Sequence, residues 1–367
     1  MVSKLNVDDI VEKIYIGSLS DFREQIIYNE NFQRYIYRGH SKSDSFKLVP
    51  SILRLEGNSL NEKREYFYIK ELRLLLQFYL ESNKHGLYVP NIPSFFQFGV
   101  ANKFDLSLVL KEMEWNWLSN EVIELAALAQ HYGMHTRLLD WTQDIRVALY
   151  FAASGVEESQ KEDMAVWCIN AGELMDIRNA FDTSIYVAND LSYDGQGDHS
   201  EKWDLIRILN EDVLPLRFLI PHYNFNRNIN AQKGVLSIWQ YNLGQKEIYK
   251  HSSSRKNIRN IPHKDALPSE SVEMLRKKIG DNGKEFLEQS IERDTRPLDK
   301  LILDYFDQND SKRGRIKEIS NKILYKFIIK KELRNDILNM LCTDGYNRAK
   351  IYPGYHSVAE MIMNHEV

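Results

Sequence analysis

Three short segments hold most of the side chains able to do chemistry. The first is Tyr37-Arg38-Gly39-His40, followed by Leu48-Val49-Pro50-Ser51-Ile52-Leu53-Arg54. An arginine set after aromatic and β-branched residues and beside a glycine suits bidentate capture of a phosphate or carboxylate in a narrow cleft. The alternative is a buried arginine paired with an acid such as Asp140. The second segment is denser: Gln130-His131-Tyr132-Gly133-Met134-His135-Thr136-Arg137-Leu138-Leu139-Asp140-Trp141-Thr142, with Ala148-Leu149-Tyr150-Phe151-Ala152 behind it. Polar groups between two apolar helices must form a network or line a site, because burying them unpaired is costly. An internal Arg137–Asp140 pair, with His131 as a satisfied core histidine, is the competing reading. The third segment is Arg227-Asn228-Ile229-Asn230-Ala231-Gln232-Lys233-Gly234. Gln232 precedes a strand-entering glycine, so its amide either projects toward a site at a sheet edge or satisfies loop backbone.

The elements that must position these segments follow from periodicity. Helices are expected at 7–12 and 19–24, a strand at 35–39 that ends on Gly39 and aims Arg38 into a cleft, and a long amphipathic helix at 60–82. A loop is expected at 94–102. A helix over 121–131 stops at Gly133 in a left-handed cap. Residues 136–142 read as extended, with Thr142 capping a buried helix at 145–154. Strands are expected at 165–170, 217–220, 234–241 and 324–330, and a helix at 332–341 closed by Gly345. The polar stretch 244–321 reads as surface helices and loops, and no internal repeat is evident.

Composition narrows the classes. In 367 residues the apolar share is 43% and the charged share 27%, ordinary values for a folded chain with a sizeable core. Twenty Tyr and sixteen Phe serve first as core filler. A net charge of -4 predicts no global capture of nucleic acid. Cys168 and Cys342 stand far apart and without metal-ligand spacing, which reads as buried free thiols, and no metal is expected. No signal-like or membrane-spanning stretch is seen, so a cytoplasmic protein without membrane contact is expected.

Together the three segments resemble the FRG-domain family, named for its aromatic-Arg-Gly motif. The likeness extends from about residue 35 to 362, interrupted by the polar stretch after Gly244, and Phe327-Ile328-Ile329 and Gly345-Tyr346-Asn347-Arg348-Ala349-Lys350-Ile351-Tyr352-Pro353 resemble the family's closing strand, helix and Phe-Pro-like segment. A further resemblance is to mono-ADP-ribosyltransferases of the Arg-Ser-Glu type, with Arg38 in the first place, Thr142 and Asp140 in the second, and Gln232 in the third. That resemblance implies an α+β fold with a split β-sheet core surrounded by many helices. The expected divisions are an N-terminal helical segment (1–34), a core (35–243), a polar insertion (244–321) and a closing strand-helix unit (322–367).

The resemblance also implies a reaction. NAD is the expected substrate, and Arg38, Asp140, Thr142 and Gln232 are the expected catalytic groups. Tyr37, Gly39, His40, His131, Tyr132, Thr136, Arg137, Trp141 and Tyr150 are expected to bind the dinucleotide. A glutamine at the third place carries no negative charge, so Asp140 is the candidate partner of a cationic oxocarbenium centre. The implied partners are a macromolecular acceptor, RNA, DNA or protein, and an antitoxin. The implied setting is a growth-arresting toxin in a toxin-antitoxin or anti-phage system. Basic tracts at 255–259 and 312–317 are compatible with a nucleic-acid acceptor, though such tracts are usually solvated. The rival reading is a non-catalytic nucleotide- or phosphate-sensing module, and the third is hydrolysis of NAD or nucleic acid.

Overall fold

The computed structural model describes residues 3–27, 35–54, 67–92, 120–175, 214–222, 226–239, 296–308, 310–319 and 322–363. Among the described residues seven strands form one open mixed sheet: β1 (Val11–Ile16), β2 (Ile36–His40), β3 (Leu139–Thr142), β4 (Met164–Ile169), β5 (Leu216–Leu219), β6 (Gly234–Trp239) and β7 (Leu324–Ile329). Their order is β1-β7-β4-β2-β3-β6-β5. Only β1 and β7 run parallel; β7–β4, β4–β2, β2–β3, β3–β6 and β6–β5 are antiparallel.

The described helices are α1 (Val7–Ile10), α2 (Leu19–Phe22), α3 (Phe67–Lys84), α4 (Asn120–His131), α5 (Ile145–Ser154), α6 (Arg227–Ala231), α7 (Leu298–Phe306), α8 (Asp310–Glu318), α9 (Arg334–Thr343), α10 (Arg348–Ile351) and α11 (Tyr355–Met363). Strand alternation assigns them to layers. Tyr37, Val166, Cys168 and Phe327 pack with the apolar residues of α5 and α9. Leu138, Leu236 and Ile238 pack with α3 and α4. On the other side Ile36, Leu139, Trp141, Ile169, Val235 and Leu324 meet α1, α7 and α8. The result is a helix–sheet–helix sandwich.

Two halves of the sheet meet at a narrow joint. Tyr37↔Thr142 is the one registered pair between β2 and β3, whereas β2 and β4 share five. The sheet is therefore continuous rather than divided, but β2 and β3 part beyond that pair.

Several expectations need correction. Residues 1–34 are not wholly helical: Val11–Ile16 is an edge strand, alternating an α5-side set (Ile14, Ile16) with Val11 on the other side. Strand β2 runs through Gly39 to His40, and Gly39 has no left-handed backbone. Its lack of a side chain lets α5 approach: a Cβ there would stand 1.9 Å from the Ala148 carbonyl oxygen and 2.8 Å from the Ala152 nitrogen. The N-cap of α5 is Asp144, whose carboxylate accepts from the Arg146 N–H, not Thr142. Within the supposedly superficial 244–321 stretch, α7 is a core helix that buries Leu298, Leu301, Ile302, Leu303, Tyr305 and Phe306. The rest of that stretch up to residue 295, the 255–259 tract and the 94–102 loop lie outside the described residues. The 312–317 tract is largely engaged within the fold. Lys312 donates to Gln308 and lies 4.1 Å from the Tyr305 ring centroid, and Arg313 pairs with Asp307 and Asp310. Gly133 and Gly345 close their helices in left-handed conformations, φ 89° and 80°. Cys168 is buried and Cys342 partly exposed, and among the described residues neither forms a disulfide.

Candidate functional site

Arg38 lies where β2 and β3 part. Its Nη1 donates to the Asp140 main-chain oxygen at 2.6 Å and stands 3.8 Å from the Asp140 carboxylate. Its Nε donates to His40 Nε2 at 3.0 Å. The guanidinium side chain is 17% exposed and the Asp140 side chain 53% exposed. Burial lowers the guanidinium from its ordinary value, and the Asp140 carboxylate opposes that shift. A fork-shaped cation thus ties the two half-sheets together where ladder bonds give out, beside a carboxylate facing solvent.

His40 and Asp140 are each held in turn. Burial, together with Arg38, Arg54 and Lys326, pushes the His40 imidazole down to about 2, so it is neutral. Because Nε2 accepts from Arg38, the neutral ring carries its proton on Nδ1, which has no hydrogen-bond partner among the described residues. On the other side Gln130, in the last turn of α4, donates its amide to Asp140 Oδ1 at 2.5 Å. The Thr136 hydroxyl donates to the Gln130 carbonyl, and the Thr136 N–H donates to Ser51 Oγ at 3.2 Å. Gln130 is a site residue that the sequence reading does not pick out. Its signal was its place one residue before His131, on the last turn of a helix aimed at the Asp-Trp-Thr corner. His131, half-buried beside it, is lowered by burial against the opposing Asp140 charge.

A second cluster lies two residues along β3, about 7 Å away at strand rise. Thr142 Oγ1 donates to the Gln232 main-chain oxygen at 2.6 Å and accepts from the Asp144 N–H at 3.0 Å. The Gln232 amide donates to the Ile351 carbonyl at 3.2 Å. Asp144 accepts from Lys233 Nζ at 2.7 Å and the Tyr346 hydroxyl at 2.6 Å. Burial alone would raise the Asp144 carboxyl, but these hydrogen bonds and the Arg146 N–H outweigh it and hold it below the ordinary carboxylate range. Such a group stabilises the fold above its unfolded value of about 4, and that contribution is lost as pH falls through the lower folded value. Urea unfolding of wild type and Asp144→Asn should therefore show a stability gap that is widest above pH 5 and narrows toward pH 3. A gap constant with pH would contradict this.

The structure brings Arg38, His40, Gln130, His131, Thr136 and Asp140 to one seam and Thr142 and Gln232 to its neighbour. Within these clusters His40, Thr136 and Thr142 are themselves buried, and of the other expected residues only Tyr132 is open to a dinucleotide. Tyr37, Trp141 and Tyr150 are core residues, and Trp141 Nε1 donates to Ser237 Oγ at 2.8 Å. Arg137 is committed to Glu71 on α3: its main-chain N–H donates to Oε1 at 2.9 Å and its Nε to Oε2 at 2.5 Å. Neither the expected ligand role nor the Arg137–Asp140 pair is found. Gly39 serves helix packing. Tyr132 is 72% exposed beyond the end of α4, so it remains able to stack on a ligand. Among the described residues no group of three or more His, Cys, Asp or Glu stands ready for a metal ion, and no helix is long and apolar enough to cross a membrane.

Comparison with known families gives one finding: residues 33–162 match the FRG domain. The match takes in β2, β3 and α5, and with them Arg38, His40, Gln130, Asp140 and Thr142. Gln232 and the closing segment at 345–353 lie beyond it, so the likeness is narrower than the residues suggested. No curated protein and no solved structure matches the chain.

Proposed function

We propose that this FRG-domain chain transfers ADP-ribose from NAD to a macromolecule, using the Arg38–Asp140 seam as its active site. The observation that carries the reading is a solvent-facing carboxylate 3.8 Å from a guanidinium whose other contacts fix it in place. Arg38 holds a phosphate oxygen of the dinucleotide. Asp140, oriented by Gln130, stabilises positive charge developing on the ribose. The bond between ribose C1′ and the nicotinamide nitrogen breaks and nicotinamide leaves with its electron pair. The acceptor nucleophile bonds to C1′ and sheds its proton to Asp140. Gln232 takes no chemical role here, since its amide serves the Ile351 carbonyl, so Asp140 replaces the carboxylate that the third position lacks. The reading includes an ADP-ribosyltransferase-like core, for which the narrow β2–β3 joint is the support, and a cytoplasmic growth-arresting role restrained by an antitoxin.

Labelled NAD incubated with protein and cell extract tests it. Wild type should label nucleic acid or protein, and Asp140→Asn should lower the rate by about 10²–10³-fold, the range for losing one preorganised charge contact. Arg38→Ala should lower it at least as far. Equal labelling by wild type and both variants would remove the seam from the chemistry. One feature favours a second reading, a nucleotide- or phosphate-sensing module: Thr142 and Gln232 are both spent on main-chain carbonyls, which leaves the seam short of a second reactive group. Nucleotide binding lost in Arg38→Ala with no label transferred identifies the sensor. Label recovered as free ADP-ribose identifies a hydrolase.

A further inference from the structure

One row of residues crosses four adjacent strands on the sheet face away from α5. Lys13 registers with Lys326, Lys326 with Trp167, and Trp167 with Arg38. At about 4.8 Å per strand the row spans about 14 Å. Its middle is dry: Trp167 and Lys326 are each 6% exposed, and His40, on the same face of β2 as Arg38, is 5% exposed. Lys326 Nζ lies 5.3 Å from the Trp167 ring centroid, donates to the Ser43 carbonyl at 2.7 Å and stands 3.6 Å from the Asp44 carboxylate. Burial lowers its ammonium from the ordinary value, with Asp44 opposing and Lys47 and Lys13 adding to the shift. Trp167 Nε1 is a buried donor with no hydrogen-bond partner among the described residues.

A buried ammonium beside a spare N–H donor calls for a negative group, because an unpaired buried charge and an unmet donor are both costly. The negative group at hand is Asp44, whose side chain is 78% exposed and touches Lys326 only at 3.6 Å. A pair that loose and that wet holds weakly. The Asp44 loop is anchored by other bonds: Glu162 accepts from the Asp44 and Ser45 N–H groups at 3.0 and 2.9 Å, and Ser43 N–H donates to the Asp163 carbonyl at 2.8 Å. The carboxylate can swing away while the loop backbone stays.

We propose that Lys326 and Trp167 Nε1 form an oxyanion subsite for a phosphate group, next to Arg38, with Asp44 as the exchangeable anion that a ligand phosphate displaces. It rests on the proposed function only in taking Arg38 as holder of a neighbouring phosphate of the same reaction. The phosphate belongs either to the dinucleotide or to a nucleic-acid acceptor.

Calorimetric titration with inorganic pyrophosphate tests the subsite without reference to turnover. Lys326→Gln should weaken binding about tenfold or more, as for a lost charged hydrogen bond. Trp167→Phe, which keeps a ring and removes the N–H, should weaken it about 3- to 10-fold. Asp44→Asn should tighten it about 2- to 5-fold, while Glu157→Gln, which removes an exposed carboxylate 3.5 Å from Lys42, should not. Lys326→Arg, tested because Lys326→Gln can loosen the loop, should restore most of the affinity. Absent binding to wild type, unchanged binding in Lys326→Gln and Trp167→Phe, or equal gains from Asp44→Asn and Glu157→Gln would overturn the subsite. Repeating the titration with ADP-ribose and with a short single-stranded oligonucleotide identifies the source as the one whose affinity falls in Lys326→Gln; loss in neither overturns the proposal. Because pyrophosphate binding does not need turnover, failure of transfer with intact Lys326 dependence rejects the enzyme reading and leaves the subsite standing.

Discussion

Glu71→Ala is expected to destabilise the chain by about 3–5 kcal/mol in urea unfolding, the range for removing one partner of a buried ion pair. The Glu71 and Arg137 side chains are 1% and 4% exposed. The carboxylate receives both a main-chain N–H and the guanidinium of Arg137, so the substitution strands a cation inside the protein. Total stabilities of domains run at about 5–15 kcal/mol, so the variant should lie near the edge of folding. The double replacement Glu71→Leu with Arg137→Met should recover much of the loss, since a shape-matched apolar pair needs no charge compensation. A single-variant loss below 1 kcal/mol would show that water reaches the pair.

Gly39→Ala is the second large effect. Both atoms nearest the added methyl, the Ala148 oxygen and the Ala152 nitrogen, belong to the α5 backbone. No side chain can rotate aside, so the helix must lift from β2. We expect a loss of about 3 kcal/mol or more, together with displacement of Arg38, the next residue along. Gly314→Ala on α8 is the comparison, since nothing lies within 4 Å of its added Cβ. It should be neutral or stabilise the helix by up to about 1 kcal/mol. Equal effects at the two sites would refute the packing account of the aromatic-Arg-Gly motif. In that account Tyr37 fills the core, Gly39 admits a helix, and Arg38 alone keeps a partly exposed side chain at the β2–β3 joint.

How far the sequence could be read depends on whether the deciding contact is local. The α5 helix was legible over its whole length, Ile145–Ser154, because the apolar run 147–153 between Asp144 and Gly155 needs no distant information. The two helix-closing glycines were legible for the same reason. The β1 strand was missed although Val-Glu-Lys-Ile-Tyr-Ile carries β-branched residues, since the preceding capping box at Asn6 and Asp9 announces a helix that lasts only four residues. Helix α7 was hidden by the polar composition around it, although Leu298, Leu301, Ile302 and Tyr305 keep helical spacing. At the site, Arg38 and Asp140 were legible as partners. The loss of Arg137 to Glu71 and of the Gln232 amide to Ile351 was not. Those contacts join residues 66 and 119 positions apart, and no local pattern encodes which distant acceptor wins.

Strand order carries a consequence for how the molecule is made. β7, the last of the described strands in sequence, sits between β1, the first of them, and β4. During synthesis the amino-terminal strand therefore waits, without its neighbour, until about residue 329 has left the ribosome. A nonsense codon before Leu324 would leave β4 with a raw edge open to other chains. Shortened products should accordingly be insoluble rather than partly folded, which sets a practical limit on where the gene can be cut.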